Sequence, residues 1–195
     1  MFINNNLGRI CLLIENGGAI LEIRKANVFD ITSIMEIVDD ARKLFASYGS
    51  NQWQGKDAYP NYATFKSDID NENLYVVIID NIIVGVAAII CGIEPTYNKI
   101  YQGKWLTSST NYLTIHRLAL KKEYYGKNIA KYIIDYACLI AKSRDVSSIR
   151  VDTYYKNKEM IGLLVSKGFS YCGKIYLDRK EENIDPERLA YEKVI

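Results

Sequence analysis

The stretch KKEYYGKNIAKYII (121–134) joins an apolar run, LTIHRLAL (113–120), to a helical pattern through a short polar turn. The turn contains one glycine, Gly126, and one asparagine, Asn128. A strand that enters a helix through such a turn presents free backbone N–H groups at the positive end of the helix dipole, which favours an anion and above all a phosphate. Lys127 and Lys131 would add positive charge there. As a residue pattern alone, a structural turn with solvated lysines explains it as well.

The bulk composition narrows the class of protein. The 195 residues suffice for one well-cored domain, and 49% hydrophobic with 25% charged residues is typical of globular proteins. A net charge of +2 is too mild to predict nucleic-acid binding. The sequence has neither GxGxxG nor GxxxxGK[ST], so dinucleotide and P-loop sites lack support. The four cysteines lack zinc-ligand spacing and predict no metal site; reduced thiols in a cytoplasmic protein are the favoured interpretation.

The hydrophobic pattern predicts alternating strands and helices. The longest apolar stretch (75–93) is broken by Asp80-Asn81, which indicates a hairpin of 74–79 with 82–91 rather than a membrane span. A helix is expected from Asp30 to Gly49, and a second with Tyr62, Phe65 and Ile69 on one side. The remaining elements are strands at 21–26, 111–120, 147–155, 169–177 and 188–195 and helices at 126–143 and 157–167. This predicts one mixed α/β domain over 21–195. The sequence leaves three interpretations of residues 1–20: an extra edge strand, a flexible leader, or a gene start assigned too far upstream.

The ordered segments resemble the GNAT superfamily of acetyl-CoA-dependent N-acetyltransferases. The resemblance rests on IHRLAL, YYGKNIA, SIRVDTYYKNK and SKGF, and it extends over about residues 21–195 through LEIRKANVFDITSIMEIVDDAR, LYVVIIDNIIVGVAAI and RLAYEKVI. It implies an α/β GNAT fold, with a mixed, mostly antiparallel central sheet of about seven strands flanked by about four helices. It also implies acetyl-CoA as co-substrate and no metal.

The family turn, Q/R-x-x-G-x-G/A, wraps the pyrophosphate of coenzyme A and falls here on residues 125–130. Tyr125 replaces Gln or Arg, and Asn128 replaces glycine. Asparagine tolerates left-handed backbone angles, so we expect the turn to keep its shape. The resemblance implies a coenzyme site formed by Leu118, Ala119, Leu120, Tyr125, Gly126, Lys127, Asn128, Ile129, Ala130, Lys131 and Asn157. For Asn157, a plain helix cap would look the same.

For catalysis, the resemblance places a base or proton relay near His116, the only histidine. An imidazole suits proton removal from an amine near neutral pH. The alternative is a histidine packed beside Arg117. Where family members often carry a tyrosine that protonates the leaving thiolate, this chain has Leu164; Ser166, Tyr154 and Tyr155 are the other hydroxyls nearby.

The expected reaction is acetyl transfer to a primary amine, of a small molecule or a peptide N-terminus, by direct attack. A non-catalytic acyl-CoA-binding module that has lost its general acid is the alternative. Neither a nucleic acid nor a membrane is expected as partner, and a homodimer is possible because many family members are dimers. Aromatic residues in two loops are expected either to wall the acceptor pocket or merely to pin those loops: Trp53, Tyr59, Tyr97, Tyr101 and Trp105.

Overall fold

The computed structural model describes residues 2–4, 9–13, 20–55, 57–178 and 185–195. They form nine strands and four α-helices. The strands are β1 (Phe2–Asn4), β2 (Arg9–Leu13), β3 (Ile20–Lys25), β4 (Leu74–Ile79), β5 (Ile82–Cys91), β6 (Leu113–Leu120), β7 (Ser148–Thr153), β8 (Ser170–Tyr176) and β9 (Glu187–Val194). The helices are α1 (Ile31–Ser47), α2 (Tyr62–Asp70), α3 (Ile129–Ser143) and α4 (Lys158–Ser166). In this part of the chain, no helix has both the length and the apolar character needed to cross a bilayer.

All nine strands belong to one sheet, in the order β1-β2-β3-β4-β5-β6-β7-β9-β8. Neighbouring strands are antiparallel except β6 and β7. The seven strands from β3 onward and the four helices confirm the predicted mixed fold. In the N-terminal segment 1–20, residues 2–4 and 9–13 form two further strands that extend the sheet at the β3 edge.

The hairpin predicted from Asp80-Asn81 joins β4 to β5 within those bounds. Both turn residues have positive φ, 49° and 63°, which is the backbone that a two-residue hairpin turn requires. Alternation along β5 then divides the core. Ala87 and Ile89 belong to the apolar cluster under α3, whereas Val86 and Ala88 belong to the cluster under α1.

One helix face differs from the prediction. Phe65 of α2 is fully buried, but Tyr62, which we expected on the same side, is 56% exposed. Tyr62 is the first residue of α2, directly after the Asn61 cap. The helix therefore buries its middle, at Phe65 and Asp68, rather than its first residue.

The sheet opens between β6 and β7. These parallel strands pair only at Leu113 with Ile149 and at Thr114 with Arg150. Further along β6, the register against β5 shifts between the pairs Ala88–His116 and Val86–Ala119, so two β6 residues face one β5 residue. A bulge of this kind bends and twists a strand. It bears on the site because it lies where β6 has parted from β7.

Candidate active site

A cavity of about 390 Å³ lies at the opening between β6 and β7. This volume is in the range of small-molecule sites. Its wall combines the loop before α2, the middle of β6, the end of β7 with the start of α4, and the region around β9. The lining residues on which the chemistry depends are Gln52, Trp53, Tyr59, Glu94, His116, Arg117, Leu118, Asp152, Asn157 and Asp178.

His116 lies on the cavity wall and faces a carboxylate. Its Nε2 is 3.3 Å from Oε2 of Glu94, in an orientation that does not complete a hydrogen bond. Glu94 is held firmly, because its N–H donates to the hydroxyl oxygen of Tyr112 at 2.9 Å and its Oε1 accepts from the Thr96 hydroxyl at 2.9 Å. The adjacent His116 lowers the pKa of Glu94 to about 2, and the Thr96 hydrogen bonds act in the same direction against burial. Glu94 is therefore a carboxylate at neutral pH, 3.3 Å from the imidazole.

Glu94 is the functional candidate that the sequence analysis missed. It stands 22 residues before His116, at the start of a loop expected to contribute only aromatic side chains. Its one sequence signal was its place in a long loop directly after a strand, where functional side chains are common.

Arg117 occupies the bulge with a φ of 54°, in the left-handed region that side chains rarely adopt. Its guanidinium turns away from His116 and donates to the Tyr59 hydroxyl at 3.0 Å and to Asp68 at 2.8 Å. Burial raises the pKa of the Asp68 carboxyl, although the guanidinium acts in the opposite direction. The arginine thus fixes the loop before α2, and Tyr59 with it, against β6.

The five predicted aromatic residues separate into two groups. Trp53 and Tyr59 line the cavity, and the Trp53 ring packs edge-on against Phe45 at 5.2 Å. Tyr97, Tyr101 and Trp105 are not among the described residues that line the cavity. Tyr97 is buried and its hydroxyl donates to Asp152 at 2.7 Å.

The remaining two also pack elsewhere in the loop. Trp105 donates its Nε1–H to the Tyr97 carbonyl, and Tyr101 packs edge-on against Tyr176 at 5.0 Å. The contacts of Tyr97, Tyr101 and Trp105 therefore fit the alternative interpretation, in which these rings hold the loop in place.

The 125–130 turn has the expected conformation. Gly126 has a φ of 73°, and Asn128 is left-handed at φ 61° and ψ 10° directly before α3. The prediction that asparagine can hold this backbone is confirmed. In the described chain, no hydrogen bond uses the N–H groups of Gly126, Asn128, Ile129 or Ala130. Lys127 and Lys131 are exposed beside them, and Tyr125 is half-buried. These free donors fit a phosphate group.

Strand β6 leads from the cavity to this turn and has its own free edge. The Lys121 N–H donates to Val84, so alternation directs the Ala119 N–H toward β5 as well. The N–H groups of Leu118 and Leu120 then point to the side where β7 has diverged. Of Leu118, Ala119 and Leu120, the first and the last therefore have backbone N–H groups that point into the opening.

At the start of α4, Asn157 accepts a hydrogen bond from the Met160 N–H at 3.1 Å and lines the cavity. It is therefore a helix cap whose side chain also borders the site. Leu164 is fully buried in the core under α3. The three hydroxyls considered in its place, on Tyr154, Tyr155 and Ser166, do not occur among the described residues that line the cavity.

Unpartnered polar atoms concentrate around the cavity. In the part of the chain that the structure describes, the buried side-chain atoms without a hydrogen bond are Tyr48 Oη, Gln52 Oε1, Asp68 Oδ2, His116 Nε2 and Arg117 Nε. Three of these residues line the cavity, and Asp68 is bound to Arg117. Buried polar groups are normally paired, and exceptions call for an explanation. A polar ligand in the cavity would supply one.

Comparisons with known proteins give one consistent family. The model of the acetyltransferase (GNAT) family matches residues 38–169, more than half of the chain. No curated protein sequence matches it. Among solved structures, a GNAT-family acetyltransferase from Streptococcus agalactiae 2603 is similar at 35% identity and a TM-score of 0.80, over 90% of this chain and 95% of that one.

Two more distant structures share the fold. A GNAT-family acetyltransferase from Listeria monocytogenes 4b F2365 has 18% identity and a TM-score of 0.68, over 93% of this chain and 99% of that one. The PaiA N-acetyltransferase of Thermoplasma acidophilum, solved with coenzyme A, has 19% identity and a TM-score of 0.64, over 90% and 99%. With the opened strands, the turn and the matched family model together, this chain belongs to the GNAT acetyltransferase family, whose members use acetyl-CoA to acetylate amines.

Proposed function

We propose that this protein transfers an acetyl group from acetyl-CoA to a primary amine, on a small molecule or a peptide N-terminus, with His116 as the base. The observation that carries the proposal is the arrangement along β6. This strand bears His116, which faces Glu94 of the loop after β5 at the cavity, and it ends at a turn with free N–H donors. One strand would thus bind both the acceptor amine and the coenzyme.

The coenzyme would be held mainly by backbone donors. The N–H groups around Asn128 suit its pyrophosphate, and Lys127 and Lys131 add charge. The edge of β6 at Leu118 and Leu120 suits the coenzyme arm, and Asn157 lies across the opening on α4. The fold-level similarity to PaiA, a structure that contains coenzyme A, supports this assignment.

Acetyl-CoA would supply the acetyl group as a thioester. The acceptor must attack as a neutral amine, so His116 takes a proton from its nitrogen and Glu94 stabilises the imidazolium that results. A free N–H of β6 stabilises the negative charge that develops on the acetyl oxygen. The new C–N bond replaces the C–S bond. The sulfur leaves as a thiolate, which Leu164 cannot protonate; because thiol pKa values are about 8–9, this slows the reaction without preventing it.

The cavity favours a cationic acceptor. Its wall includes the carboxylates of Glu94, Asp152 and Asp178 against two guanidiniums, that of Arg188 and that of Arg117, which is paired with Asp68. The rings of Trp53 and Tyr59 suit contact with a cation or an apolar stem. Gln52 Oε1 lacks a partner and could accept from an ammonium group. We also expect the protein to act in the cytoplasm, because its four cysteines are unpaired.

The test begins with calorimetric titration of acetyl-CoA, followed by thiol release in the presence of a panel of amines. We expect micromolar binding and release that depends on the added amine. His116→Ala should keep the binding and lose about 10²–10⁴ of the rate. Failure to bind at millimolar acetyl-CoA would exclude the proposal. Binding without amine-dependent release, over a broad panel, would favour the acyl-CoA-binding module instead.

A further inference from the structure

Tyr48 carries an unpartnered buried hydroxyl that the proposed reaction does not use. Its hydroxyl is shielded from solvent, yet it makes no hydrogen bond within the described residues. Its ring packs on the apolar cluster under α1, with a centroid separation of 6.0 Å from Phe45. Phe45 lines the cavity, and Tyr48 does not. The phenol thus lies next to a residue of the cavity wall.

Two contacts place α1 across the opening between β6 and β7. Asp40 accepts from the Lys122 N–H at 3.0 Å, just before the 125–130 turn. The carbonyl of Gly49 accepts from Lys156 Nζ at 3.0 Å, just before α4. Tyr48 precedes Gly49, so it lies at the end of α1 that reaches the β7–α4 loop.

The electrostatic surroundings of the phenol agree with this position. Burial raises the pKa of Tyr48, and the next contributions come from Glu159 in the first turn of α4 and from Tyr125, the first residue of the turn. Glu159 also raises the pKa of Tyr125, after burial and the acidic groups of Asp40 and Glu123. Groups on both sides of the gap that separates the turn from α4 thus act on the Tyr48 phenol.

In the reaction proposed above, the coenzyme must cross this gap, with its pyrophosphate at residues 125–130 and its thioester near Leu118. The linking pantetheine arm carries amide carbonyl groups that accept hydrogen bonds. We propose that Tyr48 is a coenzyme-binding residue whose hydroxyl donates a hydrogen bond to a carbonyl oxygen of the pantetheine arm. This inference rests on the proposed function, since it assumes that coenzyme A is bound.

An unsatisfied buried donor destabilises the ligand-free protein, because the group has lost its water without gaining a partner. Tyr48→Phe removes the hydroxyl and keeps the ring. The ligand-free variant should therefore be at least as stable as the parent protein, whereas its affinity for the coenzyme should fall. A hydroxyl bound inside the protein would give the opposite result for stability.

The experiment compares two probes by calorimetry. Coenzyme A carries the pantetheine arm, and 3′-phosphoadenosine 5′-diphosphate carries only the part that binds the turn. In Tyr48→Phe, we expect the affinity for coenzyme A to fall about three- to tenfold, the value for one hydrogen bond. The affinity for the shorter probe should stay within about twofold, which is below the loss expected for one hydrogen bond. Tyr62→Phe, an exposed phenol on α2, is the matched control and should change neither.

Each outcome decides the inference. Unchanged affinity for coenzyme A in Tyr48→Phe would overturn it, and so would an equal loss for both probes or a lower melting temperature of the ligand-free variant. If the parent protein binds coenzyme A in these cases, the proposed function stands. If the parent protein binds no coenzyme A at millimolar concentration, the proposed function fails first and this inference fails with it.

Discussion

His116 Nε2 lies 3.3 Å from Glu94 Oε2, and this contact joins β6 to the loop that follows β5. On the loop side, Glu94 accepts a hydrogen bond from the Thr96 hydroxyl and donates its N–H to the Tyr112 hydroxyl. The carboxylate is therefore a positioning group, held on the loop beside the imidazole.

Glu94→Gln tests this role. The amide keeps the size of the side chain but not its charge, so kcat/KM should fall about tenfold or more, though by less than the 10²–10⁴ expected for His116→Ala. Affinity for acetyl-CoA should stay constant. An unchanged kcat/KM would show that the charge of Glu94 does not support the reaction.

Asn128 offers a test of the turn that is independent of catalysis. Asn128→Gly keeps both the N–H and access to a φ of 61°, so it should bind acetyl-CoA at least as well as the parent protein. Asn128→Val keeps the N–H but places a β-branched side chain in the left-handed region, at a cost of about 1–2 kcal/mol. We expect lower stability in urea and about tenfold weaker calorimetric binding, because that cost corresponds to about a factor of ten. Equal affinities for the two variants would show that the turn geometry does not govern binding.

Features that depend on local sequence could be predicted, whereas features that depend on contacts between distant residues could not. The Asp80-Asn81 hairpin and the Asn128 conformation are local, because the residues themselves determine the backbone. The Glu94–His116 contact is not local, since it depends on how a loop returns to a strand 22 residues later. A positive φ at Arg117 could not be foreseen either, because arginine has no preference for that region. Tertiary contacts with Asp68 and Tyr59 accompany it.

Leu164 tests whether the tyrosine of the family pattern could simply be restored. The side chain is fully buried in the core under α3, so Leu164→Tyr adds volume and a hydroxyl to a packed interior. We expect a loss of about 1–3 kcal/mol in the free energy of unfolding and no gain in kcat. Val165→Tyr is the matched control, because its neighbouring position is 61% exposed and should accept the ring. A higher kcat in Leu164→Tyr would show that the position still reaches the leaving sulfur.

The loop that carries Trp105 is anchored by a buried carboxylate, which explains why that ring is turned away from the cavity. Glu192 of β9 is fully buried and accepts hydrogen bonds from the hydroxyls of Thr107 and Ser148 at 2.7 and 2.6 Å. It also pairs with Arg150 at 3.0 Å, whose guanidinium lies 4.5 Å from the Trp105 ring centroid. Burial alone would raise the pKa of Glu192, but these hydrogen bonds and the guanidinium outweigh it and lower the pKa.

Glu192→Gln should therefore destabilise the protein in a pH-dependent manner. At pH 7 the substitution leaves the Arg150 charge buried without its partner, which costs about 3–5 kcal/mol. A lowered folded-state pKa means that the stabilisation is complete above the unfolded value of about 4.3 and is lost as the pH falls below it. The difference in free energy of unfolding between parent and variant should thus be largest at neutral pH and shrink at pH 3–4, as measured by urea denaturation. Glu187→Gln, which breaks the more exposed pair with Lys174, should cost about 1 kcal/mol or less. A Glu192→Gln penalty that is equally large at pH 3 and pH 7 would mean that packing and hydrogen-bond geometry, rather than the charge of Glu192, hold this loop.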